Sequence, residues 1–240
     1  MTRPGGLIRI FAIAALLAAA LAGETIDGKI LVTRKLTRRS VTPAVAAYQR
    51  GAFAELGRDE LQDALSYERS HVVVWIEGPA NPRPVAPEPV ASLEQKGRRF
   101  VPDLLAIPAG STVSFPNLDP IFHNVFSLSK PKSFDLGNYP KGDTRQVVFA
   151  RPGIVYIGCH LHPNMAAVIV VTPGECAKAG PDGRFSLDGV VPGVWTVVAW
   201  HRAAGFHRKR VEVLPNRGAH VEFLIPVGVE SLGQEATEGN

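Results

Sequence analysis

Cysteine is scarce: the 240-residue chain holds two, Cys159 and Cys176. That excludes the disulfide-dense framework of a small secreted scaffold and leaves room for at most one bridge. Long apolar runs are lacking too, apart from one at the very start that is short for a bilayer span. Positive charge is not concentrated. Arg38-Arg39 and Arg208-Lys209-Arg210 are small runs that read as solvated faces, and nothing in the chain has the footprint of a nucleic-acid binder. Paired carboxylates, nucleophile–base pairs and open-site motifs are also missing, so an enzyme acting through side chains alone is not expected.

What is present describes an exported β protein. The composition, 45% hydrophobic and 20% charged, is that of a globular chain, and 23 glycines with 20 prolines suit short strands joined by many turns. Residues 1–22 read as a signal peptide: Arg3 and Arg9, then "IFAIAALLAAALA", then Ala20-Leu21-Ala22 as a small-x-small cleavage site. Retention as an anchor is the alternative. Cleavage would remove two arginines and no acids, taking the net charge from +4 to +2 and leaving no stable membrane span. The expected location is the periplasm or another exported compartment.

Along the chain, "GKILVTRKL" (28–36) and "HVVVWIEG" (71–78) read as strands, separated by a helical or irregular insertion at 40–66. A Pro-rich loop (79–91) follows. From residue 99 the pattern becomes dense β, with "HNVFSLS", "TRQVVFA", "GIVYIG" and "AAVIVVTP" each bounded by turn residues. Residues 174–183 read as a polar linker. Beyond it, "RFSLDG", "VWTVVAWHR", "HRKRVEVLP" and "AHVEFLIPV" alternate as half-buried strands do. So few strands are marginal alone, so this module is expected to lean on the first domain. Residues 229–240 are polar and expected as a disordered tail.

The densest chemistry is "CHLHPNM", residues 159–165. Two imidazoles, a thiolate and a weak thioether match a mononuclear copper site; zinc also takes His and Cys, but thioether suits it poorly. Cys159, His162 and Met165 come from this loop. A third strong donor must come from elsewhere, and His123 is the natural candidate, opening a strand after "FPNLDPIF". The competing view of Cys159 is a disulfide to Cys176. His160 could lead to a second metal, but the chain has no further His-x-His pairs to build one. His71, His201, His207 and His220 are scattered and expected to be satisfied or at the surface.

These residues resemble a family. "STVSFPNLDPIFHNVFS" and "YIGCHLHPNM" look like the two ligand regions of plastocyanin and amicyanin, with the C-x-x-H-x-x-M spacing of amicyanin's short loop. The resemblance implies an all-β, Greek-key cupredoxin sandwich over 23–173. It implies a single type 1 copper held by His123, Cys159 and His162 with Met165 axial, and Asn124 bracing the cysteine loop. "DGRFSLDGVVPGVWTVVAWH" resembles transthyretin-like, carboxypeptidase-regulatory β modules, placing a second module at 174–228. The function implied is single-electron transfer with a periplasmic redox partner, docking through Leu161, Pro163, Ile121 and Phe122. A copper carrier, buffer or sensor would use the same residues.

Overall fold

Backbone pairing follows from the alternation of side chains. In the first strand, Ile26, Ile30 and Val32 point to one side and are buried while Thr25, Asp27 and Leu31 face out. The structure, a computed structural model, describes residues 23–34, 36, 65–78 and 91–225. In chain order the strands are β1 (Glu24–Val32), β2 (Val72–Glu77), β3 (Ala91–Ser92), β4 (Glu94–Gln95), β5 (Phe100–Val101), β6 (Leu104–Pro108), β7 (Ser111–Pro116) and β8 (His123–Ser129). They continue with β9 (Lys132–Tyr139), β10 (Thr144–Phe149), β11 (Gly153–Gly158), β12 (Ala166–Thr172), β13 (Cys176–Lys178), β14 (Arg184–Val190), β15 (Gly193–His201), β16 (Gly205–Val213) and β17 (Ala219–Ile225). The described residues are therefore nearly all β, with one short helix among them at 65–70. No helix among the described residues is long and apolar enough to cross a membrane.

Two sandwiches result. In the first, the sheet β6-β12-β11-β8-β9 faces the sheet β10-β7-β3 across Phe115, Val125, Tyr139, Phe149, Val155 and Ile169. In the second, β13-β2-β15-β16 faces β14-β1-β17 across Ile26, Ile30, Val74, Trp195, Val197 and Phe223.

The second sandwich corrects the expected division of the chain at 23–173 and 174–228. The early strands do not complete the first sandwich. β1 runs antiparallel to β14 and parallel to β17, from Ile26↔Ala219 to Val32↔Ile225. β2 pairs with β15 and β13. The first sandwich, built from residues 91–172, is thus inserted between two halves of the second. Alternation tells a strand which faces to bury, not which partner to take, so adjacency in sequence was a poor guide. The supposed linker at 174–183 also contains a strand, β13, opposite Val73, Val74 and Trp75.

Three strands are buried on both faces. β2 sends Val72, Val74 and Ile76 into the second core. Its Val73 and Trp75 join Val198 and Trp200 of β15 against Leu104, Val168 and Val170 of the first sandwich. The sheets thus stack four deep around three apolar layers. Burial on both sides is why "VVVWI" and "VIVV" read as continuous rather than alternating. The contact is fastened at its edge: Lys178 Nζ donates to the Leu104 carbonyl at 3.1 Å, and His71 Nε2 lies 3.0 Å from Asp103 Oδ1. Hydrogen bonding from His71 leads the effects that pull the Asp103 pKa down to about 2.

The expected signal peptide at 1–22 and the expected tail at 229–240 lie outside the described residues, as does the 40–66 insertion except for its last two positions, which open the short helix. Glu68 of that helix is fully buried. It accepts the Leu36 N–H at 3.0 Å and pairs with buried His201 at 3.1 Å.

Candidate metal centre

β11 ends at Gly158 and β12 begins at Ala166, so the connection between these antiparallel neighbours is the CHLHPNM loop. Two turns fold it. The His162 N–H donates to the Cys159 carbonyl at 3.3 Å, and the Met165 N–H to the His162 carbonyl at 2.9 Å. Each turn has four residues and advances the chain by three, so the C-x-x-H-x-x-M spacing places its three sulfur and nitrogen side chains at successive turn ends. Cys159 and Met165 are buried, at 4% and 1% exposure; His162 is half-buried. The fourth residue arrives from the next strand: β8 pairs with β11 at Phe126↔Gly158, which brings its first residue, His123, beside the loop and fully buried.

The structure brings His123, Cys159 and His162 together, with one donor atom from each, all within 4.8 Å of one another. His123 Nδ1 is 3.1 Å from His162 Nδ1, and Cys159 Sγ is 3.7 Å from the same atom. A metal with bonds of about 2.0–2.3 Å holds neighbouring donors of a tetrahedral site about 3.3–3.6 Å apart, and the 3.1 and 3.7 Å separations lie close to that range, so small shifts of the side chains seat one ion. Nitrogen and thiolate donors in this ratio suit copper or zinc. Met165 sits at the end of the same loop among the buried residues of the first core.

Supporting groups hold the donors in place. The Asn124 N–H donates to Cys159 Sγ at 3.3 Å. Its side chain accepts the His160 N–H at 3.3 Å and donates to Asp135 at 2.7 Å. One asparagine therefore ties β8, β9 and the cysteine loop. His160 points away: its ring is exposed and stacks on Phe126 with centroids 3.7 Å apart. His71, His201, His207 and His220 stand outside the donor group. Both cysteines are free, which removes the disulfide alternative, and burial pushes the Cys176 thiol pKa up, away from reactivity.

Two residues that sequence reasoning passed over sit behind His123. Asp119 Oδ2 lies 2.8 Å from His123 Nε2, and its carboxylate also accepts the N–H groups of Gly97 at 2.6 Å and Arg98 at 2.7 Å. Burial works against the charge of Asp119, but these donors outweigh it and its pKa lies below the usual carboxylate value. Asn117 shapes the loop that carries it, donating to the Ile121 and Tyr139 carbonyls at 2.9 and 3.0 Å and accepting the Asp119 N–H at 3.0 Å. In "PNLDP" both look like ordinary turn residues; the spacing of Asp119 four positions before His123 was the available signal. The loops that carry Asp119 and His162 expose Leu118, Ile121, Phe122 and Leu161, with Phe122 at 57%.

No protein-family model matches the chain, and no curated protein matches it. Solved structures do. A Cu-containing nitrite reductase from Thermus scotoductus is 28% identical over 35% of this chain, with a TM-score of 0.34, and the match spans 23% of the reductase's length. A purple cupredoxin from Nitrosopumilus maritimus is 26% identical over 34% of this chain and 99% of its own, with a TM-score of 0.31. An amicyanin variant in its Cu(I) form is 19% identical over 41% of this chain and 98% of its own, with a TM-score of 0.33. These superpositions are partial and loose, and the case for a metal centre rests on the donor geometry.

Proposed function

We propose that this chain is an exported, single-copper protein that passes one electron at a time between periplasmic redox partners. The observation that carries it is the convergence of His123, Cys159 and His162 at the mouth of a rigid sandwich. Copper in such a set supplies a one-electron couple and, through its thiolate ligand, intense visible absorption. The chain's own task is to keep the donors still. His123 is anchored on β8 and by Asp119, Cys159 is anchored at the end of β11 and by Asn124, and the two turns of the loop fix His162 between them. Donors set by separate strands resist rearrangement when the charge of the site changes, and burial of His123 and Cys159 keeps water from adding as a further ligand. Met165, buried at the end of the loop, would add a weak thioether donor.

His162 is the donor nearest to solvent, and Ile121, Phe122, Leu161 and Pro163, exposed on the loops that carry His162 and lead to His123, would serve as an apolar docking patch. Small, apolar contacts of this kind suit brief redox encounters. The test is direct. Titration of the metal-free protein with Cu(II) should give an intense visible band that saturates at one copper per chain, a reversible one-electron couple, and slow loss of copper to a chelator. A colourless product that prefers zinc would overturn the proposal; rapid exchange of coloured copper to the chelator would replace it with a carrier.

A further inference from the structure

We propose that Asp119 is a positioning residue of this centre: its carboxylate fixes His123 with Nδ1 towards Cys159 and His162, and lowers the reduction potential of the copper. The inference rests on the copper reading above and adds a control of its redox poise.

His123 offers two ring nitrogens, and the metal can use only one that carries no proton. An ionised carboxylate only accepts hydrogen bonds. With Asp119 Oδ2 at 2.8 Å from Nε2, the proton belongs on Nε2 and the lone pair on Nδ1. Nδ1 is the atom that lies 3.1 Å from His162 Nδ1. The ring itself is fully buried, so no water competes for either nitrogen. The tautomer needed for metal binding is thus set before any metal arrives.

A backbone carbonyl would serve the tautomer equally well. A carboxylate does more, because it brings a full negative charge one imidazole away from the centre. Among the described residues no lysine or arginine side chain is paired with Asp119; its ion-pair partner is His123 itself. The remaining support comes from the N–H groups of Gly97 and Arg98, which hold the charge without cancelling it. In a site with little water such a charge acts strongly. It favours the more positive copper state and strengthens the ring as a donor, and both effects lower the potential.

A purely structural role is the rival. Gly97 and Arg98 have φ of 63° and 54°, and Asp119 latches this tight turn, so its loss would loosen the fold regardless of metal. The experiment separates the two. In the copper-free full-length protein, nitrogen-15 NMR should find His123 protonated at Nε2, and D119A should mix the tautomers. In the copper-loaded protein, D119N should keep the visible band but raise the reduction potential and speed copper loss to a chelator about ten- to a hundred-fold. D119E should bring the potential back towards wild type. G97A strains the same turn while leaving the carboxylate in place, so it should lower stability with the potential unmoved. An unchanged potential in D119N, an equal rise in G97A, or a wild-type His123 protonated at Nδ1 overturns the proposal. A wild-type protein that takes up no copper overturns the electron-transfer reading and this proposal with it; a coloured wild type with an indifferent D119N sinks this proposal alone.

Discussion

Cys159, His162 and Met165 sit on one loop but should fail differently when changed. Cys159→Ser removes the thiolate, so the copper-loaded variant should lose the visible band. His162→Gly takes away the donor nearest solvent and leaves a gap that added imidazole should fill, restoring much of the colour. Met165→Leu removes only a weak thioether, so copper and colour should remain while voltammetry records a higher potential. Equal loss of copper from Met165→Leu and Cys159→Ser would show that the loop wraps the metal in another order. This cluster was legible because cysteine, histidine and methionine rarely crowd seven positions. Asp119 was not, since a carboxylate in a Pro-Asn turn looks like turn chemistry until the fold shows what its oxygens face. A second residue-level effect lies far from the centre. Burial, partly opposed by the charge of Glu68, depresses the pKa of His201 below its ordinary 6.5, and burial does the same to His207. The unfolded chain takes up these protons near pH 6.5 and the folded chain only at lower pH. Stability is therefore complete above about pH 6.5 and falls as the pH drops through the depressed values. Urea midpoints between pH 7.5 and 5.5 should decline, and His201→Gln should flatten that slope.

At the scale of elements, the doubly buried strands carry the most. Trp200 of β15 packs between the sandwiches, and Trp200→Ala should cost about 3–5 kcal/mol by urea denaturation. A fragment of residues 174–240 lacks β1 and β2. Its first sheet loses its middle strand and its second loses the strand that joins β13 to β15, so it should show no cooperative unfolding transition by circular dichroism. Most strands of the first sandwich were readable: β8 and β11 begin and end where alternation and turn residues place them. β9 was missed because it is an edge strand, paired only with β8. Its apolar Phe134 and Leu136 are spaced among Asp135, Gly137 and Asn138, which sequence rules assign to loops.

For the whole molecule, the sequence disclosed two β modules and their contact but not which strands each owns. The missing information is long-range. A strand buried on both faces carries no alternation to mark its orientation, and β2 lies nearer in sequence to β3 than to its partners β13 and β15. The shared layer of Val73, Trp75, Val168, Val170, Val198 and Trp200 couples the two sandwiches, and the metal-free protein should unfold in a single calorimetric transition. Asp103→Asn, at the edge of that layer, should loosen the coupling and split the transition.

The interrupted sandwich also sets a timetable. Asp27 of β1 meets His220 of β17, 193 positions away, whereas the first sandwich has all its strands within residues 91–172. At a synthesis rate of about 5–20 residues per second, β1 waits on the order of 10–40 s for its partner. The apolar β2 waits with it, and the inserted sandwich is complete first. Refolding from denaturant has the same ordering, because the longer closure is entropically costlier. The chain carries its own clock for this: all three tryptophans, Trp75, Trp195 and Trp200, belong to the late half. In stopped-flow refolding with Cu(II) present, visible colour should return before tryptophan fluorescence reaches its native value.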